Sequence, residues 1–318
     1  MTKYRQTLPQ LGGGLFITDG GIETTLMFHD GLDLLHLAAF DLLRDPAGRA
    51  VLRRYFRDYA AIAKEHGRGM ILESVTWRAS ADWGDRLGYS RTALAEANRQ
   101  AIALLEEIRE AFEVPHRPMV ISGCVGPRGD GYNPAEVMTA EEAEGYHGEQ
   151  IATFAGTAAD MVTAVTMTNI PEAIGVTRAA QAVGIPVVIS FTVETDGRLP
   201  TGESLKDAIE QVDAATGNGP AYFMINCAHP THFQDALANG EAWVQRVRGL
   251  RANASTKSHA ELDEAEELDD GNPEELGEHH RALVEMLPHL AVLGGCCGTD
   301  HRHIAAISTA CAEGRAAA

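Results

Sequence analysis

A (β/α)8 TIM barrel is the fold this sequence predicts, on three observations. Eight short apolar runs are continuous rather than alternating, helical patterns lie between them, and 318 residues suit one barrel of this size. In order, the runs are Leu15–Gly21, Gly69–Trp77, Pro118–Gly126, Asp160–Asn169, Pro186–Val193, Ala221–His229, Val247–Ser255 and Val292–Thr299. Continuous runs are expected of parallel strands covered on both faces. Between the first two runs, Ala47–His66 carries Val51, Leu52, Tyr55, Phe56, Tyr59 and Ile62 at helical spacing. Thr92–Phe112 repeats the pattern with Leu94, Ile102, Leu104, Leu105 and Ile108, among residues that favour helix. A doubly wound sheet is the competing arrangement. It loses ground because no G-x-G-x-x-G follows the first run and no P-loop is present. One domain is expected over residues 1–318, with its core from about 12 to 312.

Composition narrows the function. Hydrophobic residues at 45% and charged residues at 22% suit a soluble protein with a large core. A formal net charge of −19 argues against nucleic acid, since no basic stripe offers phosphate neutralisation. No run reaches the ~18 apolar residues of a membrane span, and Met1-Thr2-Lys3-Tyr4-Arg5 does not open an apolar signal core. Five cysteines, two of them adjacent, do not suit a secreted disulfide framework and point to a reducing, cytoplasmic setting. No segment marks a subunit interface. Glu261–Glu275 is strongly acidic and is expected to be a solvated helix face or loop between strands seven and eight, with a mobile lid as the alternative.

The chemistry is expected at Asn226-Cys227 and at Gly294-Gly295-Cys296-Cys297-Gly298-Thr299. Each closes an apolar run, and in a barrel the C-terminal strand ends meet at one mouth. Cys227, Cys296 and Cys297 would then offer three thiolates to a zinc ion and leave one position open for a thiol substrate. Zinc held by three thiolates is a blunted Lewis acid, which favours thiol alkylation over hydrolysis. Gly294, Gly295 and Gly298 are expected to let the backbone bend so that the sulfurs point inward. Buried inert cysteine is the alternative. It is the expected state of Cys311, and a packed role is also expected for Cys124. His229, two residues after Cys227, is expected at the pocket wall or in a hydrogen bond.

With these motifs the chain resembles the homocysteine S-methyltransferases, zinc barrels marked by a strand-six Asn-Cys and a strand-eight Gly-Gly-Cys-Cys. The likeness spans nearly the whole sequence and includes Asp19-Gly20-Gly21 with Glu23-Thr24, Gly123-Cys124-Val125-Gly126-Pro127 and Ser190-Phe191-Thr192. It implies that Cys227, Cys296 and Cys297 bind Zn2+ and that homocysteine sulfur takes the open position. It further implies that Asp19, Gly20 and Gly21 hold the amino-acid end, with N–H groups of the glycines meeting the carboxylate. Ser74, Thr76 and Thr166 are similar in position to hydroxyl residues lining that site, Asn226 braces the metal loop, and Glu23 or Glu73 supplies a missing carboxylate. That carboxylate is missing because Val165 stands where members of the family commonly carry Glu at the end of strand four.

The expected partners are therefore a small-molecule thiol and a methyl donor. Trp77, Trp83 and Tyr89 follow strand two, and aromatic faces suit an onium cation. Packing of that loop onto the rim is their other expected role, and Arg78 among them opposes a cation. The chain's length implies no folate or cobalamin module, which makes S-methylmethionine the leading donor. Other readings are a different thiol acceptor or a corrinoid-protein donor, an inactive zinc-binding barrel, and Schiff-base aldol chemistry at Lys257, the one lysine expected near the mouth.

Overall fold

Eight strands, all parallel, close on themselves in chain order, with β1 paired to both β2 and β8. They are β1 (Phe16–Ile17), β2 (Gly69–Glu73), β3 (Met119–Val125), β4 (Met161–Met167), β5 (Val187–Phe191), β6 (Tyr222–Asn226), β7 (Val247–Ala252) and β8 (Val292–Gly295). This computed structural model describes residues 2–134, 137–265 and 267–312. The expected (β/α)8 barrel is what forms. The apolar runs overshoot the strands at their C-terminal ends because most residues of the loops lining the mouth are also buried, with Trp77, Cys296 and Cys297 the exceptions.

The helices are α1 (Pro46–Glu65), α2 (Ala81–Arg86), α3 (Arg91–Phe112), α4 (Ala140–Ala155), α5 (Ile170–Val183), α6 (Leu205–Thr216), α7 (Pro230–Leu237), α8 (His259–Asp263), α9 (Pro273–Met286) and α10 (His301–Ala310). The two helices read from spacing begin one residue earlier than expected, for local reasons. Asp45 caps α1 by accepting from Gly48 N with Pro46 at the first position, and Ser90 caps α3. Their periodic faces, including Leu52, Phe56, Leu105 and Ile108, are buried against the barrel.

Alternation along each strand sorts the interior by height. At the bottom Phe16, Ile71, Val120, Met161, Val188, Tyr222 and Val292 form a dry plug closed by Leu8. Higher up, the same faces turn polar: Glu73 on β2, Ser122 on β3, Thr163 on β4 and Ser190 on β5 are all buried. The barrel thus carries its apolar packing below and its chemistry above.

The acidic segment becomes α8, a rim loop and the start of α9; Glu266 lies outside the described residues. Glu261 closes a capping box with Ser258, Asp269 pairs with Lys257 and Asp270 pairs with Arg302. Its carboxylates thus cap a helix and tie the loop to rim cations. Among the described residues no helix is long and apolar enough to cross a membrane.

Candidate active site

The three cysteines meet at the mouth because β7 stands between their strands and holds both. Cys227 N–H donates to Arg251 O (3.1 Å), Cys296 N–H to Ala252 O (2.8 Å), and Ala254 N–H to Cys297 O (3.0 Å). The Sγ atoms of Cys227, Cys296 and Cys297 lie within 4.8 Å of one another. In this structure Cys227 and Cys296 are joined as a disulfide, with Cα atoms 5.3 Å apart, and Cys297 is a free thiol. Zinc requires thiolates, so the reduced chain is the form in which these sulfurs offer a metal site. The donor set fits zinc, with soft sulfurs on adjacent rim loops at a cavity that a further ligand can enter.

Gly298 turns the chain at φ 78 as expected, whereas close packing accounts for Gly294 and Gly295, where a Cβ on Gly295 would stand 2.1 Å from Thr299 Oγ1. A Cβ on Gly294 would stand 1.9 Å from Thr18 Oγ1, and one on Gly21 would stand 2.5 Å from the Cys296 carbonyl oxygen. The β1 loop therefore lies directly on the cysteine loop. The Gly21 N–H already donates to the Thr299 carbonyl and side chain (3.0 and 3.1 Å), which corrects the expectation that it meets a substrate carboxylate.

Asn226 locks three strand ends together. Its Oδ1 accepts from Thr166 N–H (2.9 Å) and from Ser190 Oγ (2.6 Å), while its Nδ2 donates to Thr166 Oγ1 (3.0 Å). Thr166 sits at φ 60 and Cys227 at φ 53, an unfavourable region for a side-chain-bearing residue and most of all for a β-branched one. These hydrogen bonds hold Thr166 in that turn beside Cys227. Ser74 lines the cavity, whereas Thr76 does not: its hydroxyl donates to Cys124 O (2.7 Å) and fastens β2 to β3.

Above the polar layer lies a cavity of about 170 Å³ that the three cysteines share with Asp19, Glu23, Glu73 and Arg251. Arg251, from β7, was not singled out from the sequence. Its Nη2 donates to Asp19 Oδ1 (2.8 Å), and its Nε donates to Gly295 O (3.2 Å), the carbonyl just before Cys296. Asp19 also accepts from the Tyr55 hydroxyl at 2.8 Å, so its carboxylate is committed on both oxygens. Burial pushes the carboxyl groups of Glu23 and Glu73 up to about 7, with Arg251 opposing the rise in both. Val165, from the bulged end of β4, adds an apolar wall with Ile22, Val75 and Trp77.

Tyr132 is the second residue that sequence reading missed. Its hydroxyl lies 3.4 Å from Cys227 Sγ and 3.5 Å from Cys297 Sγ. Asp130 Oδ1 accepts from the N–H groups of Tyr132 and Asn133, a local turn that aims the ring into the mouth. His259, at the start of α8, packs on that ring with centroids 4.5 Å apart and reaches Cys227 O at 2.5 Å. Burial raises the Tyr132 phenol well above its ordinary value, so it stays protonated and able to donate.

The aromatic trio separates. Trp77 lines the cavity, but Trp83 and Tyr89 do not. The Arg78 guanidinium lies between Trp77 and Trp83, 3.9 and 3.8 Å from their ring centroids. Tyr89 packs on Phe40 and bonds Asp41 and Arg44. A cage of three aromatic faces around a substrate cation is therefore not formed, because the protein's own arginines occupy those faces. Cys124 lines the cavity from β3 while Cys311 is packed in the core, and His229 caps α7 outside the cavity lining. Lys257 is paired with Asp269 outside the cavity, which removes the basis for a Schiff-base lysine there. Glu172 is committed to His147, Asn169 and Arg128 N–H.

A barrel with a three-cysteine cluster at its C-terminal mouth defines a class, and sequence comparison places the chain in it. The chain matches the model of the homocysteine S-methyltransferase family over residues 16–311 and belongs to that family, so it is an S-methyltransferase. Among solved structures it is similar to the homocysteine methyltransferase MmuM from Escherichia coli. The metallated form aligns with TM-score 0.76 at 17% identity, the oxidised form with 0.77 at 18%, each covering 96% of this chain and 99% of the other. The apo form aligns with TM-score 0.67 at 17% identity. At such identities the likeness establishes the shared barrel. Among curated proteins, none matches the chain in sequence.

Proposed function

We propose that the reduced protein holds zinc through Cys227, Cys296 and Cys297 and methylates the thiol of homocysteine to give methionine. The observation that carries this is the meeting of three cysteine sulfurs within 4.8 Å at the mouth of a barrel of this family. Zinc held by these cysteines would lower the pKa of the acceptor thiol and favour its thiolate. The protein's residues supply the remainder. Tyr132 covers the sulfurs, so an entering thiol replaces its hydroxyl contact. Asn226, through Thr166, fixes the turn that presents Cys227. Ile22, Val75, Trp77 and Val165 surround the transfer path with apolar surface, which strips water from nucleophile and methyl group.

The donor we favour is an onium compound, S-methylmethionine first. The acceptor sulfur attacks the methyl carbon in line as the carbon–sulfur bond of the sulfonium breaks. That bond's electron pair leaves with the departing neutral thioether, and the acceptor's thiol proton passes to solvent. Asp19, Glu23 and Glu73, against the single Arg251 of the lining, give the cavity acidic character that suits a cation.

The test is methionine formation, followed by mass spectrometry. Reduced, zinc-loaded protein is given homocysteine with S-methylmethionine, S-adenosylmethionine, betaine or dimethylsulfoniopropionate in turn. Methionine is expected with a sulfonium donor and is expected to vanish in Cys297→Ala. Full activity of metal-free Cys297→Ala would refute the zinc reading.

A further inference from the structure

The cavity contains two charged groups that the protein leaves incompletely paired, and they face each other. Arg251 has an 11% exposed side chain and commits Nε to Gly295 O and Nη2 to Asp19. Among the described residues its Nη1 has no hydrogen-bond partner at bonding distance: the nearest carboxylate oxygen, Glu73 Oε2, is 3.8 Å away, too long for a hydrogen bond. Glu73 is 6% exposed, and among the described residues its buried Oε1 has no partner at hydrogen-bond distance, with the Ser122 and Thr163 hydroxyls nearby favouring its charged form. An open guanidinium edge on the cavity and, beside it, a buried carboxylate oxygen without a partner are groups that a ligand can complete. Both groups line the cavity that holds the cysteines, and the Nε bond to Gly295 O puts the guanidinium one residue from Cys296.

We propose that Arg251 and Glu73 form a clamp for a zwitterionic thiol, Arg251 Nη1 receiving the acceptor's carboxylate and Glu73 its ammonium. This rests on the thiol-transfer reading above and adds the residues that choose the acceptor. It gives this chain its own means of reading an α-amino acid where Val165 offers no charge. Arg251 suits the role because Asp19 and Gly295 O fix the guanidinium plane, so little conformational freedom is lost when a carboxylate docks on its remaining edge. Asp19, held by Tyr55 as well, anchors the arginine instead of the substrate. Arg251 is thus a specificity-determining residue.

The test measures thiol binding directly. Reduced, cobalt(II)-loaded protein is titrated with homocysteine and with 3-aminopropanethiol, which lacks the carboxylate, while the sulfur-to-cobalt charge-transfer band is recorded. Wild-type protein is expected to bind 3-aminopropanethiol on the order of 100-fold more weakly, the loss of a charged hydrogen-bonding group. Arg251→Met is expected to weaken homocysteine by a similar factor and leave 3-aminopropanethiol nearly unchanged, with Arg251→Lys in between. Equal binding of the two thiols by the wild type would overturn the clamp, and this arm needs no folded variant. So would equal weakening of both thiols by Arg251→Met. No change in the band with any thiol would instead sink the thiol-transfer reading, and the clamp with it.

Discussion

Glu73 and Glu23 share a cavity with one arginine, and this sets a pH dependence. Burial raises both carboxyls to about 7 in the folded chain, against 4.5 when unfolded. Between those values the folded state holds more protons than the unfolded state, so stability falls as pH rises from about 4.5 to about 7 and levels above. For Glu73 alone the ceiling is about 3 kcal/mol; Glu23, being partly exposed, contributes less. Glu73→Gln is expected to flatten that slope, read as Tm against pH from 5 to 8. An unchanged slope would show that Glu73 titrates normally. The residues read from sequence that the fold brings together are those whose chemistry is rare. Three cysteines in a Gly-Gly-Cys-Cys frame and an Asn-Cys stand out in any context. Arg251 and Tyr132 did not, because an arginine in a strand and a tyrosine in a Gly-Asp-Gly-Tyr-Asn-Pro turn have common explanations. Arg251 had one usable signal, a charge ending a strand at the face where barrels place function.

At the scale of elements, the β1 loop and the cysteine loop after β8 are one unit. Gly21 approaches the Cys296 carbonyl so closely that Gly21→Ala must move backbone on one side or the other. Overpacking of this kind costs about 1–3 kcal/mol. Gly21→Ala is also expected to lower zinc affinity at least about tenfold, measured by competition with a chromophoric chelator. The contrasting change is Gly148→Ala in α4, where an added Cβ meets nothing within 4 Å. It is expected to stabilise by up to about 1 kcal/mol through helix propensity and leave zinc affinity unchanged. Equal zinc affinity in both variants would contradict the coupling of the two loops. Sequence spacing found α1 and α3 to within a residue because caps and periodic faces are local signals. It did not find the contact between Gly21 and Cys296, whose residues are far apart in the chain. Nor did it foresee that Arg78 occupies the faces of Trp77 and Trp83, since an apparent aromatic cage depends on side-chain partners that spacing does not specify.

Over the whole molecule, the barrel converts eight separated strand ends into one mouth, and this makes Cys227 a neighbour of Cys296 and Cys297. Continuous apolar runs made that architecture legible, because strands covered on both faces have no polar side to alternate. The layering inside was less legible: a buried Glu, Ser or Thr within an apolar run gives no sign of its height along the barrel axis. The most direct test of the proposed three-cysteine zinc centre is X-ray absorption at the zinc edge of the reduced, zinc-loaded protein, before and after homocysteine is added. Three sulfurs at about 2.3 Å and one lighter atom are expected first, and four sulfurs once the thiol is present. Fewer than three sulfurs at the start, or an unchanged spectrum on adding homocysteine, would contradict it.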